Sequence, residues 1–329
     1  MTTFKEISGQ LIRTLSSDPA NPQEGQIWYN STIGVLKGSQ VLPAAWASGG
    51  NLPIGLNGSA GAGTQTAGLS FAGVNPPTAS TKNATNEYNG SSWTAGGNMN
   101  TGRFYLFGNG SPTAGLGFGG YIGGNSTATE EYNGTSWTSV TSMPLANRNG
   151  ASDGPQTATI SFGGISNTTF LYDGTNWTTT TALPSSRNSL GGCGTQTAAL
   201  AFGGAPSFLS TTDSFNGSTW TSVSGLNTGR QQLAGSGIQT LALAFGGNIY
   251  QPSGPQVNSQ TSSEEYNGST WTTLSATLGT ARYNHARAGT GTTALAMTGG
   301  NQPSNPVPWL VSTEEFNSGL IGTKTLTTS

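Results

Sequence analysis

The sequence predicts an all-β fold built as a β-propeller of six blades, with four antiparallel strands in each. Three observations carry that expectation. A short phrase, an aromatic residue followed by Asn-Gly or Asp-Gly and then Trp, recurs at a spacing of roughly 40–50 residues, the mark of an array of supersecondary units. Between its occurrences lie short apolar runs closed by glycine, as suits strands covered on both faces. No stretch carries the period of an amphipathic helix.

The elements follow in order along the chain. Residues 1–49 stand apart as an attachment or closure segment. Within them Glu24-Gly25-Gln26-Ile27-Trp28-Tyr29 and the residues to Gly38 read as a β-hairpin with a small-residue turn. Trp46-Ala47-Ser48-Gly49-Gly50-Asn51 mirrors Trp93-Thr94-Ala95-Gly96-Gly97-Asn98, so this segment is also a candidate to supply a fourth strand to the last blade. Residues 50–329 hold the repeats. Their turns are Tyr88-Asn89-Gly90, Tyr132-Asn133-Gly134, Tyr172-Asp173-Gly174, Phe215-Asn216-Gly217 and Tyr266-Asn267-Gly268, each followed by Trp three residues after the glycine; the phrase fades at Phe316-Asn317-Ser318. Asn-Gly is the strongest short hairpin signal because both residues tolerate positive φ. The second strands of the repeats are the apolar runs, among them Ala67-Gly68-Leu69-Ser70-Phe71, Ala198-Ala199-Leu200-Ala201-Phe202 and Thr240-Leu241-Ala242-Leu243-Ala244-Phe245.

Composition narrows the function classes. Of 329 residues only 7% are charged, against roughly 25% in an average soluble domain, while 51 are glycine. The net charge is −2 and the basic residues do not cluster, so no nucleic-acid footprint is expected. No apolar run approaches a membrane span, so no membrane insertion is expected, and the first residues lack the apolar core of a signal peptide. The single cysteine, Cys193, excludes an internal disulfide framework and has no basic neighbour to activate it.

The glycine pairs after the second strand (Gly119-Gly120, Gly163-Gly164, Gly203-Gly204, Gly246-Gly247, Gly299-Gly300), the aromatic residue near Glu, and the Trp after the next turn together resemble the kelch repeat over residues 50–329. The hairpin at residues 24–38 looks like one near the start of structural proteins of tailed, particularly marine, bacteriophages. The resemblance implies a kelch-like propeller in a phage virion, of tail-fibre or particle-surface type, assembled in the bacterial cytoplasm and bound to other virion proteins through residues 1–49. It further implies non-catalytic recognition of a host-surface glycan. A purely structural decoration or connector protein is the alternative, and a glycan hydrolase or lyase comes third.

Two sets of residues are candidates for chemistry. Arg103, Arg148, Arg187, Arg230 and Arg282 recur at the start of the first strands, where guanidinium groups facing a channel suit an anionic ligand. The competing reading, favoured by the kelch resemblance, has them tie the repeats together through carbonyls or Glu87, Glu131, Glu265 and Glu315. The connections between second and third strands vary most, being long at 74–82, 248–262 and 301–311. They offer Tyr250, Gln251, Asn258, Asn305 and Trp309 for sugar stacking and hydroxyl binding, or are tolerated insertions with Trp309 packed on an edge. With one histidine, His285, and one cysteine, neither a metal site nor a Cys/His couple is expected. No catalytic residue and no cofactor is expected.

Overall fold

The computed structural model describes residues 12–19, 23, 25–75, 80–250, 257–302, 309–319 and 321–326. Among them the chain forms two compact units, residues 1–44 with 318–329 and residues 45–317. In the smaller unit Arg13–Leu15 runs parallel to Ile27–Asn30, which pairs antiparallel with Val35–Val41, itself paired with Ile321–Thr325. Trp28 is fully buried there. Its indole N–H donates to Asp18 Oδ1 at 3.0 Å, and Asn30 Nδ2 donates to the same oxygen at 2.8 Å.

The larger unit holds six four-stranded antiparallel sheets, one per sequence repeat. Sheet two shows the pattern: Phe107–Ser111, Ala114–Phe118, Thr129–Tyr132 and Trp137–Val140 pair in chain order, with Tyr132 opposite Trp137 across the Asn-Gly turn. Second strands are buried throughout, because sheets lie against both of their faces. The sixth sheet comes from two distant pieces of chain. Ala286–Gly289, Thr293–Met297 and Thr313–Asn317 are completed by Ala45–Ser48, with Trp46 opposite Phe316.

The expected six-bladed kelch-like propeller is corrected by this architecture. The described residues form nine separate sheets of two to four strands, seven of them four-stranded. Among the described residues no sheet closes on itself into a barrel or a propeller. The physical reason is that every ladder stops at its outer strand, and neighbouring sheets are joined by side-chain contacts and single backbone hydrogen bonds rather than by a continuous ladder. The long connections add two small hairpins of their own, Val74–Asn75 with Ser80–Thr81 and Asn248–Tyr250 with Val257–Ser259.

The contacts between sheets are regular. First strands stand against first strands, from Ala60–Gly63 through Phe107–Ser111, Ala151–Asp153, Gly191–Thr195 and Ala234–Ile238 to Ala286–Gly289, and the last of these touches the first. Glycine permits the approach: a Cβ on Gly61 would lie 2.4 Å from the Arg287 carbonyl oxygen. Six indoles tie the sheets further out. Trp137 donates to Thr85 Oγ1, Trp177 to Thr129, Trp220 to Thr169 and Trp271 to Thr212, at 2.8–3.2 Å. Trp46 donates to Ser263 and Trp93 to Thr313, each at 3.0 Å, so every one of the six sheets both gives and receives one such bond.

Candidate functional site

The first strands surround a cavity of about 110 Å³ whose walls are mostly glycine, alanine and leucine, with Ser59, Ser152, His285 and Arg287 as its polar members. One mouth is framed by Gly58, Tyr105, Asn149, Ser189, Gln232 and Asn284, one residue from each sheet's entry. All six have positive φ, between 47° and 63°. Each accepts and donates in a closed circuit of backbone hydrogen bonds: Tyr105 N–H to Gly58 O, Asn149 to Tyr105, Ser189 to Asn149, Gln232 to Ser189, Asn284 to Gln232 and Gly58 to Asn284, at 2.6–3.0 Å. Left-handed backbone costs a non-glycine residue energy. Here the bond each residue makes to its neighbour's entry holds it.

Across the cavity Arg287 spans from sheet six to sheets three and four. Its Nη2 donates to Ser152 O at 2.6 Å and Gly192 O at 3.3 Å, and its Nη1 lies 3.6 Å from Asp153 Oδ2. Asp153 is fixed in turn by the N–H groups of Gly154 and Gly194. This strut takes up the one partly accessible cation of the cavity lining. Sequence reasoning passed over it, although a signal was present: the positions equivalent to Arg287 are Gly61, Gly108, Ser152, Gly192 and Gly235.

His285 occupies the place that Leu190 and Leu233 hold in sheets four and five. Neither ring nitrogen has a hydrogen-bond partner, and the ring packs 5.4 Å from that of Phe245. Burial, and then the charge of Arg282, depress its pKa well below the usual histidine range. Cys193 is fully buried and its thiol is pushed far up, first by that burial and then by Asp153, so it is no nucleophile at neutral pH. Among the described residues no three His, Cys, Asp or Glu side chains gather as a metal site.

The repeated arginines do not face this cavity. Arg103, Arg187, Arg230 and Arg282 are buried, each against a carboxylate of its own sheet's third strand: Glu130 at 2.9 Å, Asp213 at 2.6 Å, Glu264 and Glu314. Burial lowers the pKa of each guanidinium and the neighbouring carboxylate opposes that shift. The partners are not the glutamates expected from sequence but the residues immediately before them or in their register. Glu315, Glu87 and Glu131 instead accept the phenol O–H of Tyr88, Tyr132 and Tyr172 from the next sheet, at 2.6, 2.5 and 2.8 Å. Burial and Glu315 push the Tyr88 phenol up to about 12. Arg148 does not belong to the series. Asn147 fills the buried position of sheet three, and Arg148 lies half-buried over the Tyr121 ring, 4.4 Å from its centroid.

Of the loop candidates, Tyr250, Asn258 and Trp309 are among the described residues. Tyr250 is exposed at the end of a strand, with its ring 6.1 Å from that of Phe208. Asn258 is half-buried in the opposing strand of that hairpin. Trp309 is half-buried and bridges to Gly300. Gln251 and Asn305 lie outside the described residues.

No helix among the described residues is long and apolar enough to cross a membrane. No family model matches the chain, and no curated protein is significantly similar to it. These findings correct the expected identity as a kelch-repeat protein of a tailed-phage virion, whether tail fibre or decoration. The expected recognition of host glycan through propeller loops is corrected with it, since neither the closed-propeller frame nor the family that motivated it is supported.

Proposed function

We propose that this chain is a non-catalytic scaffold, with a stiff larger unit and a smaller unit that attaches to another protein. The observation that carries the reading is where the reactive side chains go. Buried arginines meet carboxylates within their own sheets, while tyrosines meet glutamates and six indoles meet hydroxyls from one sheet to the next, so the groups a catalyst would use are already engaged in holding the fold. A general base or nucleophile needs a free group within reach of substrate. The attachment role rests on Ile12, Tyr29, Ile33 and Leu42, large apolar side chains of the smaller unit that stand exposed.

The purified chain is expected to give no turnover with ester, phosphate, glycoside and peptide substrates, and slow amide hydrogen exchange throughout the second strands. Turnover that disappears on substituting Arg287 or Asp153 would overturn the proposal and make the cavity an active site.

A further inference from the structure

Seven asparagines in this chain precede glycine: Asn57, Asn89, Asn109, Asn133, Asn149, Asn216 and Asn267. By sequence they are equivalent. The fold divides them into two groups, and we propose that four of them, Asn89, Asn133, Asn216 and Asn267, are sites of spontaneous deamidation while the other three are protected.

The four lie at the exposed hairpin turns that join third and fourth strands. In each, the side-chain Oδ1 accepts two backbone N–H groups, from the residues two and three positions on. The distances are 3.0 and 2.9 Å for Asn89, 2.9 and 2.9 Å for Asn133, 3.0 and 2.9 Å for Asn216, and 2.9 and 2.9 Å for Asn267. Those donors polarise the amide carbonyl and face the oxygen on which negative charge would develop. They also fold the side chain back over the turn, where the next residue's nitrogen lies. That residue is a glycine with φ of 90–91°, so no Cβ obstructs the approach.

The reaction needs only water. The glycine nitrogen attacks Asn Cγ and forms the ring C–N bond; the bond to the side-chain nitrogen breaks, and ammonia departs with the proton the glycine nitrogen has lost. Water then opens the succinimide to aspartate or isoaspartate and leaves a new carboxylate. No electron is transferred, and each conversion makes the net charge more negative by one.

The other three asparagines lack these conditions. Asn109 is buried and its amide nitrogen donates to Gly154 O and Thr159 Oγ1, so the leaving group is held and water is excluded. Asn57 is buried, its carbonyl accepts Val74 N–H, and Gly58 N–H donates to Asn284 O. Asn149 belongs to the backbone circuit, where its carbonyl accepts Ser189 N–H and fixes the peptide plane that would have to turn. The fold also contains the aspartate product. Sheet three carries Asp173-Gly174 at the same turn, with Oδ1 accepting the same two N–H groups at 2.8 and 2.7 Å. An aspartate is accommodated there without rearrangement.

The test is peptide mapping by mass spectrometry of the full chain after incubation at mildly alkaline pH, with a urea-unfolded sample alongside. The expected result is acid at positions 89, 133, 216 and 267 of the folded chain and amide at 57, 109 and 149, with all seven reacting in the unfolded one. Conversion of the other three as fast as the turn four, or retention of the amide at all four turns while the unfolded chain reacts, would overturn the proposal. N133D separates reaction from folding: it is expected to keep the native unfolding midpoint, as the Asp173 turn does in its own sheet, and a lowered midpoint would overturn the claim that the product fits.

Discussion

Sheets two, four, five and six bury an arginine against a carboxylate, whereas sheets one and three bury neither. Sheet one has Leu56 and Asn86 at those registers, and sheet three has Asn147 and Phe170. The two charges are present together or absent together. Between sheets the correspondence is partial. Sheet five keeps Glu265 although sheet six has Phe316 at the tyrosine position, and Tyr266 of sheet five has Ser214 at the acceptor position of sheet four. Glu131 of sheet two receives Tyr172 of sheet three, but the acceptor position of sheet three is Leu171, and the residue facing it from sheet four is Phe215, which has no hydroxyl to place. The difference teaches that the buried ion pairs are replaceable as pairs and costly only when halved, as expected where desolvation and attraction nearly cancel.

The largest expected effect comes from halving a pair. Glu264→Ala leaves Arg230 buried without its carboxylate, and denaturant unfolding is expected to show a loss of about 3–5 kcal/mol. The double substitution R230L/E264N imitates sheet one and is expected to recover most of that loss. A double variant no more stable than E264A would break the comparison, because the pair would then be indispensable where other sheets do without it.

His285 tests the same logic with a single group. Its folded pKa lies below the unfolded value of about 6.5, so the unfolded chain takes up the proton first. Its contribution is therefore neutral above about pH 6.5, and stability falls as pH drops below that, by about 1.4 kcal/mol per pH unit until the folded pKa is reached. H285L, which copies Leu190 and Leu233, is expected to flatten that part of the pH–stability curve. An unchanged curve would show that the acid sensitivity lies elsewhere. A smaller step is Trp177→Phe, which keeps the ring against Phe118 but deletes the bond to Thr129, for an expected loss of about 1 kcal/mol in the same unfolding measurement.

The strands and turns were legible because their signals are local. Asn-Gly before Trp marks the hairpin of sheets one, two, four and five, and Asp173-Gly174 does so in sheet three. The return of Trp46 to complete the sixth sheet was also written in the chain, as the mirrored Trp-x-x-Gly-Gly-Asn. What failed was register and connection. The identity of the acid facing each arginine depends on which face of the third strand turns inward, and a one-residue slip exchanges Glu130 for Glu131. The backbone circuit through Gly58, Tyr105, Asn149, Ser189, Gln232 and Asn284 left no trace in residue type, because main-chain groups make it. Arg287 was visible as the odd residue among small ones, but its partners Ser152, Asp153 and Gly192 lie far away in sequence and meet it only through the packing of three sheets.

Arg148 and Arg103 sharpen the comparison at its weak end, since the two look interchangeable in sequence. Arg103 is buried against Glu130, while Arg148 is one position later in its repeat and covers the Tyr121 ring with its guanidinium partly in solvent. A cation–π contact at such a site is worth about 0.5–1 kcal/mol. Arg148→Ala is therefore expected to lower stability by no more than that, and Arg103→Ala by several times as much, because it strands Glu130 without a counter-charge. Equal losses from the two substitutions would place Arg148 back among the structural arginines. A loss confined to Arg103→Ala would show that one residue of register, and not the presence of an arginine, decides whether a repeat carries a buried pair.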